Sequence, residues 1–237
     1  MSGHSKWANI KHRKGRQDAL RGKIFTKLIR EITVAARQGA DLDSNFKLRL
    51  AVDKALGQNM SRDTIDRAIK RGAGGDASDN MEEVIYEGYG VNGVAIMIEC
   101  LTDNRNRTVS DVRYVLGKHG GNMGTSGSVA YLFKQSGVIE LAAGTEEERV
   151  MEIAIEHGAE DVTTLEDGTV EVMTDPEHFW AVSQALTAAG MSVNTAELTR
   201  IATNKITLDE EAGDKLFNLV SALEELDDVQ NVFTNAE

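Results

Sequence analysis

The spacing of apolar residues changes character at Gly72-Ala73-Gly74-Gly75-Asp76-Ala77-Ser78-Asp79-Asn80, and this limits the chain to a helical part followed by a mixed α/β part. Before that stretch, Leu20, Ile24, Leu28 and Ile32 recur at four-residue spacing with Phe25 and Ile29 beside them, and Gly39 closes the run. Such a stripe predicts an amphipathic helix. Asp43 or Ser44 is placed to cap a second helix through Leu48, Ala51 and Leu56 to Gly57, and Ser61 to cap a third carrying Ile65 and Ile69 to Gly72. The turn Gly57-Gln58-Asn59-Met60 has the length of a helix-turn-helix connection, but helical hairpins of this kind are common in proteins that touch no DNA. Glycines and small polar residues without periodicity make 72–80 a linker.

Beyond the linker, strand-like runs are predicted at Val84 to Tyr89 and Val94 to Leu101, then a helix from Arg107 to Lys118 and a strand at Ser128 to Phe133. A complete β-α-β-β-α-β unit follows: strand Val138 to Leu141, helix Thr145 to His157, a hairpin turning at Glu166-Asp167-Gly168, helix Pro176 to Ala189 and strand Ala196 to Ile201. A helix from Asp209 to Leu226 and a strand at Val229 to Phe233 then supply what the preceding unit lacks. The expected fold is α+β: an N-terminal three-helix domain followed by two ferredoxin-like α/β domains, the last inserted into the middle one. The expected domains are 1–75, a discontinuous 76–134 with 205–237, and the inserted 135–204.

Charge follows the same division. Residues 1–75 hold 17 Lys and Arg against 7 Asp and Glu, a net of +10, whereas the remaining chain holds 9 against 31, a net of −22. A basic head on an acidic body approaches a polyanion head first. The first twenty-three residues concentrate the chemistry: Lys6, Lys11, Arg13, Lys14, Arg16, Arg21 and Lys23, interleaved with Trp7, Asn9 and His12 and opposed only by Asp18. Lysines offer mobile charges to phosphate, arginines a planar fork, and Trp7 a ring for an unpaired base. Before Leu20 no helical stripe develops, so this arm reads as flexible without a partner.

Other constellations point away from catalysis and metals. His4 and His12 stand eight apart without a third ligand, so no metal is expected. Gly120-Gly121-Asn122-Met123-Gly124-Thr125-Ser126-Gly127-Ser128 is rich in glycine, but it follows a helix, precedes a strand and lacks the Gly-Lys-Ser/Thr ending of a phosphate loop, so it reads as a flexible connection. The single cysteine, Cys100, lies in the apolar run Val94 to Leu101 and forms no nucleophile and base pair with the scattered histidines. No catalytic residue, cofactor or small-molecule substrate is expected. No window has the roughly 18 uncharged apolar residues of a membrane span and no signal peptide is read in the first thirty residues, while a lone cysteine that allows no disulfide framework within the chain makes the reducing cytoplasm the expected location. Asp103, Asn104 or Asn106 can cap the helix that follows, while Arg105 and Arg107 at its start oppose the helix dipole and so await an acidic partner or the acidic body.

Several motifs together resemble the YebC family of bacterial regulators. They are Met1-Ser2-Gly3-His4-Ser5-Lys6-Trp7, Ile10-Lys11-His12-Arg13-Lys14, the run Gly22-Lys23-Ile24-Phe25-Thr26-Lys27-Leu28-Ile29-Arg30-Glu31-Ile32, Tyr86-Glu87-Gly88-Tyr89-Gly90 and Asp103-Asn104-Arg105-Asn106-Arg107-Thr108. The likeness spans nearly the whole chain and is densest before residue 134. It implies a helical domain followed by two α/β domains, and a nucleic-acid contact surface at Lys6, Trp7, Lys11, His12, Arg13, Lys14, Lys23 and Lys27. The partner it implies is promoter DNA, or ribosomal RNA on the ribosome, since a mitochondrial relative is a translational activator and bacterial relatives associate with ribosomes. Val91 and Ser61 stand where relatives often have proline.

Overall fold

A computed structural model describes residues 17–74 and 81–237. Three helices come first: α1 (Gln17–Ala36), α2 (Phe46–Gly57) and α3 (Arg62–Ala73). The predicted stripe is their shared core, with Leu28, Ile32, Leu48, Ala51, Ala55, Ile65 and Ala68 buried together. The α1 and α3 backbones come so close that a Cβ at Gly72 would stand 2.1 Å from the Thr33 carbonyl oxygen. Ser61 caps α3 as read, but neither Asp43 nor Ser44 caps α2. Asn45 does: its Oδ1 accepts from the Leu48 amide at 3.0 Å while its Nδ2 donates to the Ala35 and Gly39 carbonyls at 2.8 and 2.7 Å. One buried amide side chain thus starts α2 and satisfies the end of α1. The arm before Gln17 lies outside the described residues.

The first sheet contains β1 (Glu82–Tyr89), β2 (Ala95–Thr102), β3 (Asn122–Met123) and β8 (Val229–Thr234) in the order β3-β1-β2-β8. The helices α4 (Arg105–Lys118) and α7 (Glu210–Glu224) complete this domain. Ile96, Ile98 and Cys100 of β2 meet Val112 and Leu116 of α4 and Leu216, Leu219 and Leu223 of α7 in one core. Between β3 and α7 the chain builds the second sheet from β4 (Phe133–Leu141), β5 (Ala159–Thr164), β6 (Val170–Thr174) and β7 (Val193–Ala202), in the order β5-β6-β4-β7, with helices α5 (Glu147–Glu156) and α6 (Phe179–Ala188). That is the β-α-β-β-α-β arrangement expected, inserted into the middle domain.

Two local readings fail here. Ser128 to Phe133 is not a strand: Ala130–Leu132 form a 3-10 turn, and the strand runs unbroken from Phe133 to Leu141. Gly137, just before the expected start of the strand at Val138, lies inside it, and a Cβ there would meet Phe179 at 2.3 Å, so the glycine makes room for the ring of α6. The loop after α4 is also anchored rather than free, since Asn122 and Met123 pair with Tyr89 and Gly88.

Candidate nucleic-acid interface

Lys23, Lys27 and Arg30 stand four and three residues apart on α1 and so form one polar stripe beside its apolar face. The stripe meets the C-terminal end of α7, where the last carbonyls of any helix lack internal partners and the dipole favours cations. Helix α7 has no basic residue in its own last turn, and α1 supplies the cations instead. Lys23 Nζ donates to the Glu225 carbonyl at 2.8 Å and Lys27 Nζ to the Glu224 carbonyl at 2.6 Å. Arg30 Nη1 donates to the Asp227 carbonyl at 2.8 Å and to Asp228 Oδ1 at 3.0 Å. Burial pushes the Lys27 ammonium below the usual lysine range, and the charge of Glu224 opposes that shift without cancelling it. Lys23 and Lys27 are therefore brought together on α7, while Lys6, Trp7, Lys11, His12, Arg13, Lys14 and Arg16 lie outside the described residues.

Asp228 is the centre of this contact and carried no local sequence signal. Its Oδ2 accepts from Arg107 Nη2 at 2.8 Å, Thr108 Oγ1 at 2.9 Å and Thr102 Oγ1 at 3.3 Å, and Arg107 also reaches Asp103 at 2.7 Å. Burial works against the charge, but the hydrogen bonds from Arg107, Thr108 and Arg30 outweigh it and hold the Asp228 carboxyl below the usual carboxylate range. The Asp103 to Thr108 motif thus does two jobs. Asn104 Oδ1 caps α4 by accepting from the Arg107 amide at 3.1 Å, and Arg107 and Thr108 grip an anion from the far end of the chain. Arg105, 3.7 Å from Glu82, also finds an acidic partner on the body. A cleft of about 480 Å³ opens beside this cluster, lined by Lys23, Arg30, Arg107 and Asp111 among others, and its charges are of mixed sign.

Tyr86 to Gly90 forms a second anchor. The Glu87 carboxylate, nearly buried, accepts from the backbone amides of Gly127 at 2.6 Å, Val129 at 2.7 Å and Ala130 at 2.8 Å. Burial opposes its charge, yet those three donors hold its carboxyl below the usual range. The glycine-rich loop does cradle an anion, but the anion belongs to its own chain. Tyr89 Oη adds a bond to the Ser128 carbonyl at 3.1 Å, and Gly88 is required because a Cβ would come within 2.7 Å of the Asn122 carbonyl oxygen.

Among the described residues, no group of three or more His, Cys, Asp or Glu is arranged to hold a metal ion, and no helix is long and apolar enough to cross a membrane. The Cys100 thiol is buried and pushed up to about 12, chiefly by that burial and then by Asp228, which makes it a poor nucleophile.

Comparison with known proteins places these features in a family. Residues 5–75 match the TACO1/YebC protein N-terminal domain, and residues 81–236 match the TACO1/YebC second and third domain. A probable transcriptional regulatory protein of Idiomarina loihiensis is 58% identical over 238 aligned residues, covering 100% of this chain and 96% of that protein. One of the same description from Coxiella burnetii is also 58% identical, covering 100% of this chain and 98% of that protein. The crystal structure of a conserved hypothetical protein from Aquifex aeolicus superposes with a TM-score of 0.85 at 48% identity, covering 98% of this chain and 97% of that one.

Proposed function

Because this chain belongs to the TACO1/YebC family, we propose that it is a cytoplasmic regulator of gene expression that works by binding nucleic acid and not by catalysis. The observation that carries this reading is the division of charge, +10 over residues 1–75 against −22 over the rest. Local charge, not net charge, determines how many counterions leave a polyanion on binding. The contact is assigned to Lys6, Trp7, Lys11, His12, Arg13, Lys14 and Arg16, continued by Lys23 and Lys27. An ammonium group has three N–H donors, so a lysine that holds one α7 carbonyl retains donors for phosphate. Lys27, half-buried, is the weaker of the two.

The relatives are named probable transcriptional regulatory proteins, which favours promoter DNA as the ligand. With about five phosphates contacted, log affinity should fall with log salt at a slope near −4 to −5. Replacing Lys11, Arg13 and Lys14 together by glutamine should reduce that slope by about one unit per lost contact. A slope indistinguishable from zero in the intact protein would refute the proposal. Sedimentation of a lysate through sucrose separates the two settings, because co-migration with ribosomes that high salt abolishes would move the reading from promoter DNA to ribosomal RNA.

A further inference from the structure

The acidic body holds nine Lys and Arg after residue 75, and four of them, Arg105, Arg107, Arg113 and Lys118, fall within the fourteen residues of α4. In a segment with 31 Asp and Glu, any cation not kept for another purpose should sit beside an oxygen. Most do. Arg105 faces Glu82, Arg107 faces Asp103 and Asp228, Lys134 faces Glu160, Lys215 faces Glu211, Arg149 donates to the Ala189 carbonyl, and neither Arg200 nor Lys205 is free. Arg113 and Lys118 are the exceptions among the described residues. Arg113 reaches only the Met123 sulfur at 3.9 Å, and Lys118 only the Tyr114 ring, with its ammonium 5.9 Å from the centroid.

Tyr114 is itself unusual. It is 66% exposed, whereas Val112, Val115 and Leu116 around it in sequence are buried in the core. At 100° per residue, Arg113, Tyr114 and Lys118 share the outer face of the helix, with Gly117 between Arg113 and Tyr114. A Cβ at Gly117 would meet nothing within 4 Å, so the surface between Arg113 and Tyr114 is open, and the ring itself is largely exposed. The one carboxylate of the helix, Asp111, lies one turn before Tyr114 at the Lys118 edge of this face and also lines the cleft beside Asp228.

We infer that the outer face of α4 is a second nucleic-acid contact, which rests on the nucleic-acid reading above: Tyr114 stacks on an unpaired base while Arg113 and Lys118 hold the flanking phosphates. Two unpaired cations beside an exposed ring form the minimal platform for a single strand, because every base has a π-face and every linkage a phosphate. A paired duplex buries its base faces, so the ring gains nothing there. The ligand this surface selects is a strand with unpaired bases, as in the loops of structured RNA.

The test uses the full-length protein with a 20-nucleotide uridine-rich single strand and a duplex of mixed sequence, read by fluorescence anisotropy over a range of salt. Tyr114→Ala should weaken single-strand binding about tenfold and leave duplex binding unchanged, and Tyr114→Phe, which keeps the ring, should bind as wild type. Arg113→Gln with Lys118→Gln should lower the single-strand salt slope by about 1.4, at about 0.7 per phosphate contact. Because all three side chains are exposed, far-UV circular dichroism melts should match wild type. If these variants bind both ligands normally while the Lys11, Arg13 and Lys14 variant loses binding, the α4 contact is wrong and the basic-arm reading stands. If the intact protein binds neither ligand, both readings fall.

Discussion

Asp228 offers a sharp test of the link between the helical and middle domains. Its side chain is 8% exposed, and it accepts hydrogen bonds from Arg30, Arg107, Thr102 and Thr108. Hydrogen bonds to a charged group contribute about 1.5–3 kcal/mol each, but Asp228→Ala should not cost their sum. Arg30 and Arg107 are 26% and 46% exposed and can turn to water, and Arg107 keeps Asp103 at 2.7 Å. Thr108 keeps the Thr102 hydroxyl at 2.7 Å and the Asn104 carbonyl at 3.0 Å. The net loss should therefore be about 2–3 kcal/mol, below the roughly 3–5 kcal/mol for breaking a fully buried pair. At about 2–4 °C per kcal/mol for a chain of this size, calorimetry should record a transition lower by about 5–10 °C.

Asp228→Asn separates charge from shape. Oδ2 collects the Thr102, Thr108 and Arg107 bonds and Oδ1 the Arg30 bond, so an amide satisfies one side and turns its NH2 on the other. The expected cost at pH 7 is about 1–2 kcal/mol. Because the folded carboxyl sits below its unfolded value of about 3.9, the stabilisation is fully present above that value and is lost as pH falls through the folded one. Other acids titrate alike in both proteins, so the gap between wild type and Asp228→Asn should close in acid. A gap constant from pH 7 to pH 3, or a calorimetric shift under 1 °C for Asp228→Ala, would refute the reasoning.

Two further outcomes follow from packing and burial. Gly72→Ala should cost about 1–3 kcal/mol in urea denaturation, because the new methyl meets the Thr33 carbonyl oxygen at 2.1 Å and the Ala36 Cβ at 2.8 Å. Gly57→Ala, with nothing within 4 Å of the added Cβ, is the control and should be neutral or mildly stabilising. Cys100, buried and with its thiol raised to about 12, should resist an aromatic disulfide reagent at pH 8 and react stoichiometrically once the protein is denatured.

The parts of the fold that local chemistry dictates were legible in the sequence. The Ile24 to Ile32 part of the stripe, the Ser61 cap and the turn at Asp167-Gly168 need only neighbours within a few positions, and each appears as read. Failures occur where a distant partner decides. Asn45 displaces Asp43 and Ser44 because the end of α1 needs its amide, and Gly137 continues a strand because Phe179 packs where a side chain would stand. Asp228 lies 121 positions from Arg107, too far for any spacing rule to join them. Arg105 and Arg107, which oppose the dipole of α4, were the one visible trace of the cluster, and the anions they awaited are Glu82 and Asp228. On the arm, charge pattern is all that can be read, since no apolar stripe fixes its shape.

On the proposed nucleic-acid reading, the two kinds of cation on this chain explain how a protein of net charge −12 would address a polyanion without being repelled by its own body. Lys23 and Lys27 hold α1 through the Glu225 and Glu224 backbone carbonyls, so their charges are set against the acidic end of α7 and offset only part of the −22 that lies beyond residue 75. At physiological salt the screening length is about 8 Å, so that acidity repels only phosphates that come within about one helix diameter. A strand met by the basic arm, as proposed, would feel attraction first and repulsion only near the body. Wherever it touches the body it must find cations not already neutralised, and the described residues beyond the linker offer these at Arg113 and Lys118, on either side of an exposed ring. On the proposed reading the acidic surface acts as a filter at the α4 contact: it disfavours polyanions that lie flat against the body and favours a strand that reaches α4 with a base free to stack.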